Sequence, residues 1–452
     1  MRSVQAIAVL LVILATARAT TAQQPPHSGD STPPAIATAK EPPDSQDSAA
    51  QEKKRFPFEV HGFLLGDLSV RTSGERPPQG EGGAFVLGEE RLRLDISGAN
   101  SAGSLFLATK GDLVQDDVVN SQKLDLREAY GGYSKGPAEL RLGRQIVTWG
   151  VGDLFFINDV FPKDWNSFFS GRPMEYLKLG VDAVQVRYNS SIANVEFLVI
   201  PLYTPDTMPS AKRFFLYNPF PGVPYQKEVT PPSTLGNSEL ALRVYRRAGE
   251  FDISGYAYRG YWRSPSMRID NPVVPTTVIS FYPTLSVYGA SAQRNLSQGV
   301  LSLEAGYYDS MQNRQGVDPT IPNSQWRFLA GYQRQPWQDF TVDIQTYSEV
   351  ITQYSAYLAS LPPGAPRADQ FREVLSTRLT QLLRYQTWTF SVFAAYSPTD
   401  QDYFLQPEVA YKVTDRFSIS AGANLFGGES RTTFFGQFAG SNNVFLNLRY
   451  DF

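Results

Sequence analysis

From Phe56 onward, apolar and polar side chains alternate with a period of two, in stretch after stretch. Phe58, Val60, Leu64, Leu68 and Val70 share one parity, and Glu59, His61, Asp67 and Ser69 mostly take the other. The pattern returns as Leu92-Leu94-Ile96 against Arg91-Arg93-Asp95, as Val184-Val186-Tyr188 against Gln185-Arg187-Asn189, and as Leu301-Leu303-Ala305-Tyr307 against Ser302-Glu304. A period of two belongs to strands with one greasy face and one polar face. A soluble sandwich alternates as well. Here, however, Trp326 and Tyr332 bracket Phe328 and Ala330, and Trp388 and Tyr396 bracket Phe390, Val392 and Ala394. Aromatic residues at both ends of an apolar face form the two girdles of a wall that meets lipid.

Connection lengths point the same way. Strands read near 56–71, 86–98, 104–113, 124–134, 138–147, 182–190, 192–201, 237–247, 251–263, 280–294, 299–309, 325–335, 338–350, 372–385, 388–397, 403–413, 416–426 and 442–452. Tight turns such as Lys135-Gly136-Pro137, Ala248-Gly249, Pro336-Trp337 and Thr414-Asp415 alternate with long links at 202–236, 264–279, 310–324, 351–371 and 427–441. The expected fold is all-β: a transmembrane antiparallel β-barrel of about 18 strands, with 16 as the fallback, short periplasmic turns and long extracellular loops.

Met1-Arg2, the apolar run Ala6 to Leu14 and the small residues Ala17 to Ala22 read as a secretory signal peptide over 1–22. Residues 23–55, rich in Pro, Ser and Asp, read as a disordered periplasmic tail, too short for a folded plug domain. The barrel is expected over 56–452. The sequence contains no cysteine and only two histidines, which excludes disulfides and most His/Cys metal sites, and no cofactor is indicated. His61 is the one histidine within the barrel and has no recognisable nucleophile motif beside it, so no enzyme is expected. A net charge of -3 provides no basic footprint for nucleic acid.

The last stretch alternates Val444, Leu446, Leu448 and Tyr450 with Phe445, Asn447, Arg449 and Asp451, and ends on Phe452. This resembles the C-terminal signal by which the barrel-assembly machinery of Gram-negative bacteria recognises outer-membrane proteins. That machinery, outer-membrane lipid and lipopolysaccharide are the expected partners. The stretch from Leu126 to Asp164 contains Gly143-Arg144-Gln145-Ile146-Val147-Thr148-Trp149-Gly150, then Asn158, Pro162 and Asp164. It is similar to a porin-like outer-membrane family of unknown function with Gly-Arg-Gln-x-x-x-Trp-Gly followed by an Asn-x-x-x-Pro-x-Asp loop. The resemblance implies a barrel with a transport or export association, and no substrate.

A turn centred on Gly136 would set Glu128 opposite Arg144 and Tyr130 opposite Leu142. Glu128 and Arg144 then fall on the lipid-facing parity. They form a structural ion pair near the rim, or a bulge at Gly143 turns Arg144 inward, where it would contact substrate. Residues 151–180 contain Phe155, Phe156, Phe161, Trp165, Phe168, Phe169 and Tyr176, too many aromatics for a loop in water. The segment either folds into the barrel mouth and narrows it, or packs against other external loops. Asp159, Lys163, Asp164, Arg172 and Glu175 would give such a constriction mixed charge. On the inward parity, Arg91, Arg93, Lys110, Arg141, Arg187, Arg243, Arg327, Arg378 and Arg449 nearly balance Asp95, Asp112, Glu139, Glu196, Glu239, Glu304, Asp343 and Glu408. The expected function is a porin-like channel in the outer membrane of a Gram-negative bacterium, passing small polar or amphiphilic solutes. The alternative is a sheath or adaptor barrel serving a periplasmic or export partner in a lipid-export or electron-transfer system.

Overall fold

The computed structural model describes residues 58–80 and 82–452, so the expected signal peptide and tail lie outside the described residues. Eighteen strands form a single antiparallel sheet that closes on itself. The first strand, Phe58–Arg71, pairs on one side with Phe85–Ala99 and on the other with the last, Asn443–Asp451. Closure is what lipid demands, because an open edge would leave backbone groups unbonded in hydrocarbon. Two-residue turns at 136–137, 249–250, 297–298 and 338–339 lie on one rim. Links at 146–180, 201–238, 262–283, 311–324, 352–370 and 429–442 lie on the other. The long links hold the described helices, Trp165–Ser170 and Tyr354–Ser360, and a small sheet of Tyr225–Val229, Ser266–Ile269 and Thr277–Phe281. No described helix is long and apolar enough to cross a membrane.

The alternation sorts as expected. Phe63, Leu65, Asp67, Ser69 and Arg71 are buried inside, while on the other parity Val60, Leu113, Leu142, Ile344 and Val444 are at least half exposed. Strand boundaries differ from the expected ones by a few residues; the expected start of the first strand at 56 lies outside the described residues.

The expected pairing of Glu128 with Arg144 does not occur. The turn is the two-residue Gly136-Pro137, with Gly136 at φ +56°, so Lys135 faces Ala138 and Arg144 faces Ala129, with Tyr130 opposite Gly143 rather than Leu142. One residue of turn length shifts every partner by one. The bulge also lies elsewhere. Lys110 pairs with Glu128 and Gly111 with Leu126, so Arg127 is the extra residue, and parity switches there: Leu124 and Leu126 face out before it, Tyr133 after it. Glu128 is thereby turned inward to meet Lys110 at 2.8 Å. Arg144 stays on the outward parity and pairs across strands with Asp182 at 2.9 Å.

The seam is locked by the chain's last residue. Phe452 and Gly62 exchange backbone hydrogen bonds of 2.9 and 3.2 Å, and the Phe452 ring lies over Gly62. A Cβ at Gly62 would sit 2.5 Å from the Arg93 carbonyl and 2.7 Å from that ring. Gly62→Val is expected to strain the seam by about 1–3 kcal/mol, read as a lower urea midpoint for unfolding from vesicles. An unchanged midpoint would contradict this closure.

Candidate functional site

Residues 146–180 are tied to opposite sides of the barrel. On one side the anchor is Glu304, inward on Gly299–Ser310. Its carboxylate accepts from the backbone N–H groups of Val151 (2.8 Å), Gly152 (3.3 Å) and Asn158 (2.7 Å), and from Asn158 Nδ2 (2.9 Å). A carboxylate taking several amide donors is a strong, charge-assisted anchor. Asn158 Nδ2 also donates to the Ala305 carbonyl at 3.2 Å, and the Tyr308 hydroxyl to that of Ile157. The wall is notched to receive this stretch: a Cβ at Gly289 would collide with Asn158 Oδ1, and one at Gly306 would sit 2.7 Å from Ile157 Cγ2. Further round, Arg378 Nε reaches Asp153 Oδ2 at 2.6 Å.

On the other side, Arg172 Nη2 pairs with Glu89 at 2.6 Å, and Glu175 with Arg449 at 2.8 Å and Arg93 at 3.5 Å. Arg127 donates to the carbonyls of Glu175 and Lys178. Asn424 and Asn443 amides hold the Phe169 carbonyl, and Asn447 holds that of Gly171. Glu304 is on the eleventh barrel strand and Glu89 on the second, nine apart in a ring of eighteen. The segment consequently runs across the lumen from one wall to the facing one.

Between its anchors the segment is rigidly built. Asp164 caps Trp165–Ser170 by accepting from the Ser167 amide at 2.8 Å, and Gly171 ends the helix at φ +87°. Phe168 and Phe169 pack edge-on against the wall residue Phe404, and Phe169 likewise against Phe426. Phe155 stacks on Tyr347 at 5.1 Å, and Trp165 on Phe169 at 6.2 Å. Lys163 is buried with its ammonium on Asp159 (3.0 Å) and over the Phe156 ring (4.5 Å). Burial lowers its pKa, opposed by Asp159 and Asp206. Asp206, pushed up by burial, accepts from the Lys163 amide and the Trp165 indole. Tyr176 lies among three guanidiniums, Arg91, Arg127 and Arg93, at 4.3, 4.7 and 5.4 Å from its ring centre. Burial, with Asp112 beside it, raises the phenol's pKa against the pull of Arg91 and Arg93, so a neutral ring sits in a cationic cage.

These ties redistribute the expected site residues. Arg91 and Arg93 are buried against Glu89 and Asp112, with Tyr176 over them, instead of facing open space. Asp159 is enclosed between Lys163 and Lys178, and Asp164 is committed to the helix cap. Arg327 lies over Tyr308 at 3.9 Å and pairs with Glu349. Arg141 reaches Glu139 at 2.6 Å. Arg187 and Arg243 have the freer setting. With Glu139, Glu196, Thr148 and Tyr245 they line a polar cavity of about 360 Å³ beside the segment's start. Arg187 is held only loosely, 3.4 Å from Glu139 and 3.6 Å from Glu196. The special role of Glu304 was not foreseen, although glycines inside the strands at 289 and 306 are the signal of a close backbone approach.

No protein-family model and no curated protein matches the chain. Solved structures do. Pseudomonas aeruginosa OccK2 (OpdF) aligns with TM-score 0.53 at 11% identity, covering 87% of this chain and 97% of its own. OccD3 (OpdP) of the same organism gives 0.51 at 10%, covering 87% and 91%, and Acinetobacter baumannii OccAB3 gives 0.51 at 10%, covering 87% and 99%. The fold is that of an outer-membrane porin. At such identities the likeness extends to the architecture alone.

Glu304→Ala removes the acceptor for four donors, and Gly289→Val evicts Asn158 from its notch. Both are expected to make residues 150–160 cleavable by protease in an otherwise folded barrel. Resistance equal to the parent's in both variants would contradict the anchoring.

Proposed function

We propose that the protein is a passive channel of the Gram-negative outer membrane for small polar or amphiphilic solutes, with residues 151–180 as its selectivity element. The observation that carries this reading is the segment fastened to facing walls, with a polar cavity left beside its start. A segment anchored at both ends narrows a lumen without sealing it, and the groups lining the remaining space then decide what passes. Short turns face the periplasm and long loops the exterior, as in other barrels of this kind. Glu139 and Glu196 share Arg187 loosely, so a solute bearing a carboxylate or an ammonium finds a partner of opposite sign. The OccK2 neighbour was solved with glucuronate, which makes that sugar acid a reasonable first solute to offer this chain.

Planar-bilayer recording of the refolded barrel, beside a variant lacking residues 155–169, tests the proposal. The parent is expected to show small, steady openings, and the deletion larger ones with weaker discrimination among solutes. Silence in both, with folded barrels on gels, would overturn the channel reading in favour of an adaptor barrel.

A further inference from the structure

The outward face of the wall is uneven. Six neighbouring strands run side by side from Glu239–Ala248 to Phe340–Ile351, and their register lays cross-strand partners in rows. One row runs through Val244, Gly255, Ala290 and Ala305 to Phe328 and Ser348. The next begins at Arg246 and passes through Ile253, Ala292, Leu303 and Ala330 to Thr346. The rows on either side are bulky: Tyr288, Tyr307 and Trp326 toward the long-loop rim, and Phe251, Leu301 and Tyr332 toward the short-turn rim. Small side chains between rows of large ones leave a trough of about 780 Å³, almost wholly apolar. It runs obliquely. Arg246 lies two residues before the end of its strand at the short-turn rim, whereas Thr346 lies six residues beyond the start of its own. Strand tilt carries the row upward across the wall.

Arg246 is the unusual member. It is exposed on the lipid-facing parity, its Nε reaches only the Arg247 carbonyl at 3.4 Å, and among the described residues it pairs with no carboxylate. Its neighbour toward the same rim, Arg294, is held by Glu250 at 2.8 Å. An outward cation at the membrane boundary is stable when it meets the polar headgroup layer, and a phosphodiester is a strong partner for a guanidinium. We propose that the trough binds one diacyl phospholipid of the inner leaflet, its phosphate on Arg246 and an acyl chain along Gly255, Ala290 and Ala305. The site is on the outside of the wall and is independent of what crosses the lumen.

Native mass spectrometry of the full, folded chain titrated with phosphatidylglycerol tests this. The parent is expected to retain one lipid at collision energies that strip the rest. Ala305→Phe, which fills the trough, and Arg246→Gln, which removes the cation, should each lower the retained fraction several-fold, while excess glycerol phosphate fails to compete. Both substitutions face outward, and folding is checked by heat-modifiable gel mobility; Ala290→Leu replaces Ala305→Phe if that variant does not fold. Equal retention by the parent and the variants would overturn the proposal. So would a parent that holds no lipid but runs at twice the chain's mass, with a second copy covering the trough.

Discussion

The pairing of the first strand with the last is the constraint on which the rest depends. In hydrocarbon every backbone amide and carbonyl must find a partner within the protein, and Phe58–Arg71 finds its second neighbour only in Asn443–Asp451. The Phe452 ring over Gly62 completes that seam. Closure fixes which parity faces inward on all eighteen strands, and so delivers Glu304, Glu89, Arg93 and Arg449 to the lumen, where they hold one segment of chain.

That segment is stabilised differently at its two ends. At Glu304 the contact is backbone to carboxylate, with glycine notches admitting the chain, so position is set by shape as well as charge. Near Tyr176 it is guanidinium against carboxylate and ring, in a network where most charges are buried and paired. Breaking one partner of such a buried network leaves an uncompensated charge, which is costly, whereas in the intact network mutual attraction is largely offset by the desolvation of its members. The set around Arg187 and Arg243 is held less tightly and lines the polar cavity beside the segment's start.

The strands were legible because period two survives in almost every one of them, and the aromatics at 326, 332, 388 and 396 marked the face toward lipid. Pairing was legible only to within a residue. Glu128 and Arg144 were mismatched because Gly136-Pro137 makes a two-residue turn, and because the bulge at Arg127 leaves no mark in the local pattern. The aromatic excess in 151–180 was visible. Its partners were not, since Glu304 and Phe404 lie far along the chain and only closure brings them near. Asp159 and Asp164 read from the sequence as charge at a constriction, because the groups that engage them, Lys178 and the Ser167 amide, depend on how the segment folds.

The central claim is that residues 146–180 cross the lumen and are fastened to the far wall. The chain has no cysteine, so a pair introduced as Asp153→Cys and Arg378→Cys in place of an ion pair of 2.6 Å can be read without background. The arginine side chain holds the two backbones too far apart for a direct disulfide, so a short bis-maleimide is used to span them. The pair is expected to cross-link in the folded barrel in native membranes, and two maleimide-labelled but unlinked thiols in a folded barrel would contradict the crossing.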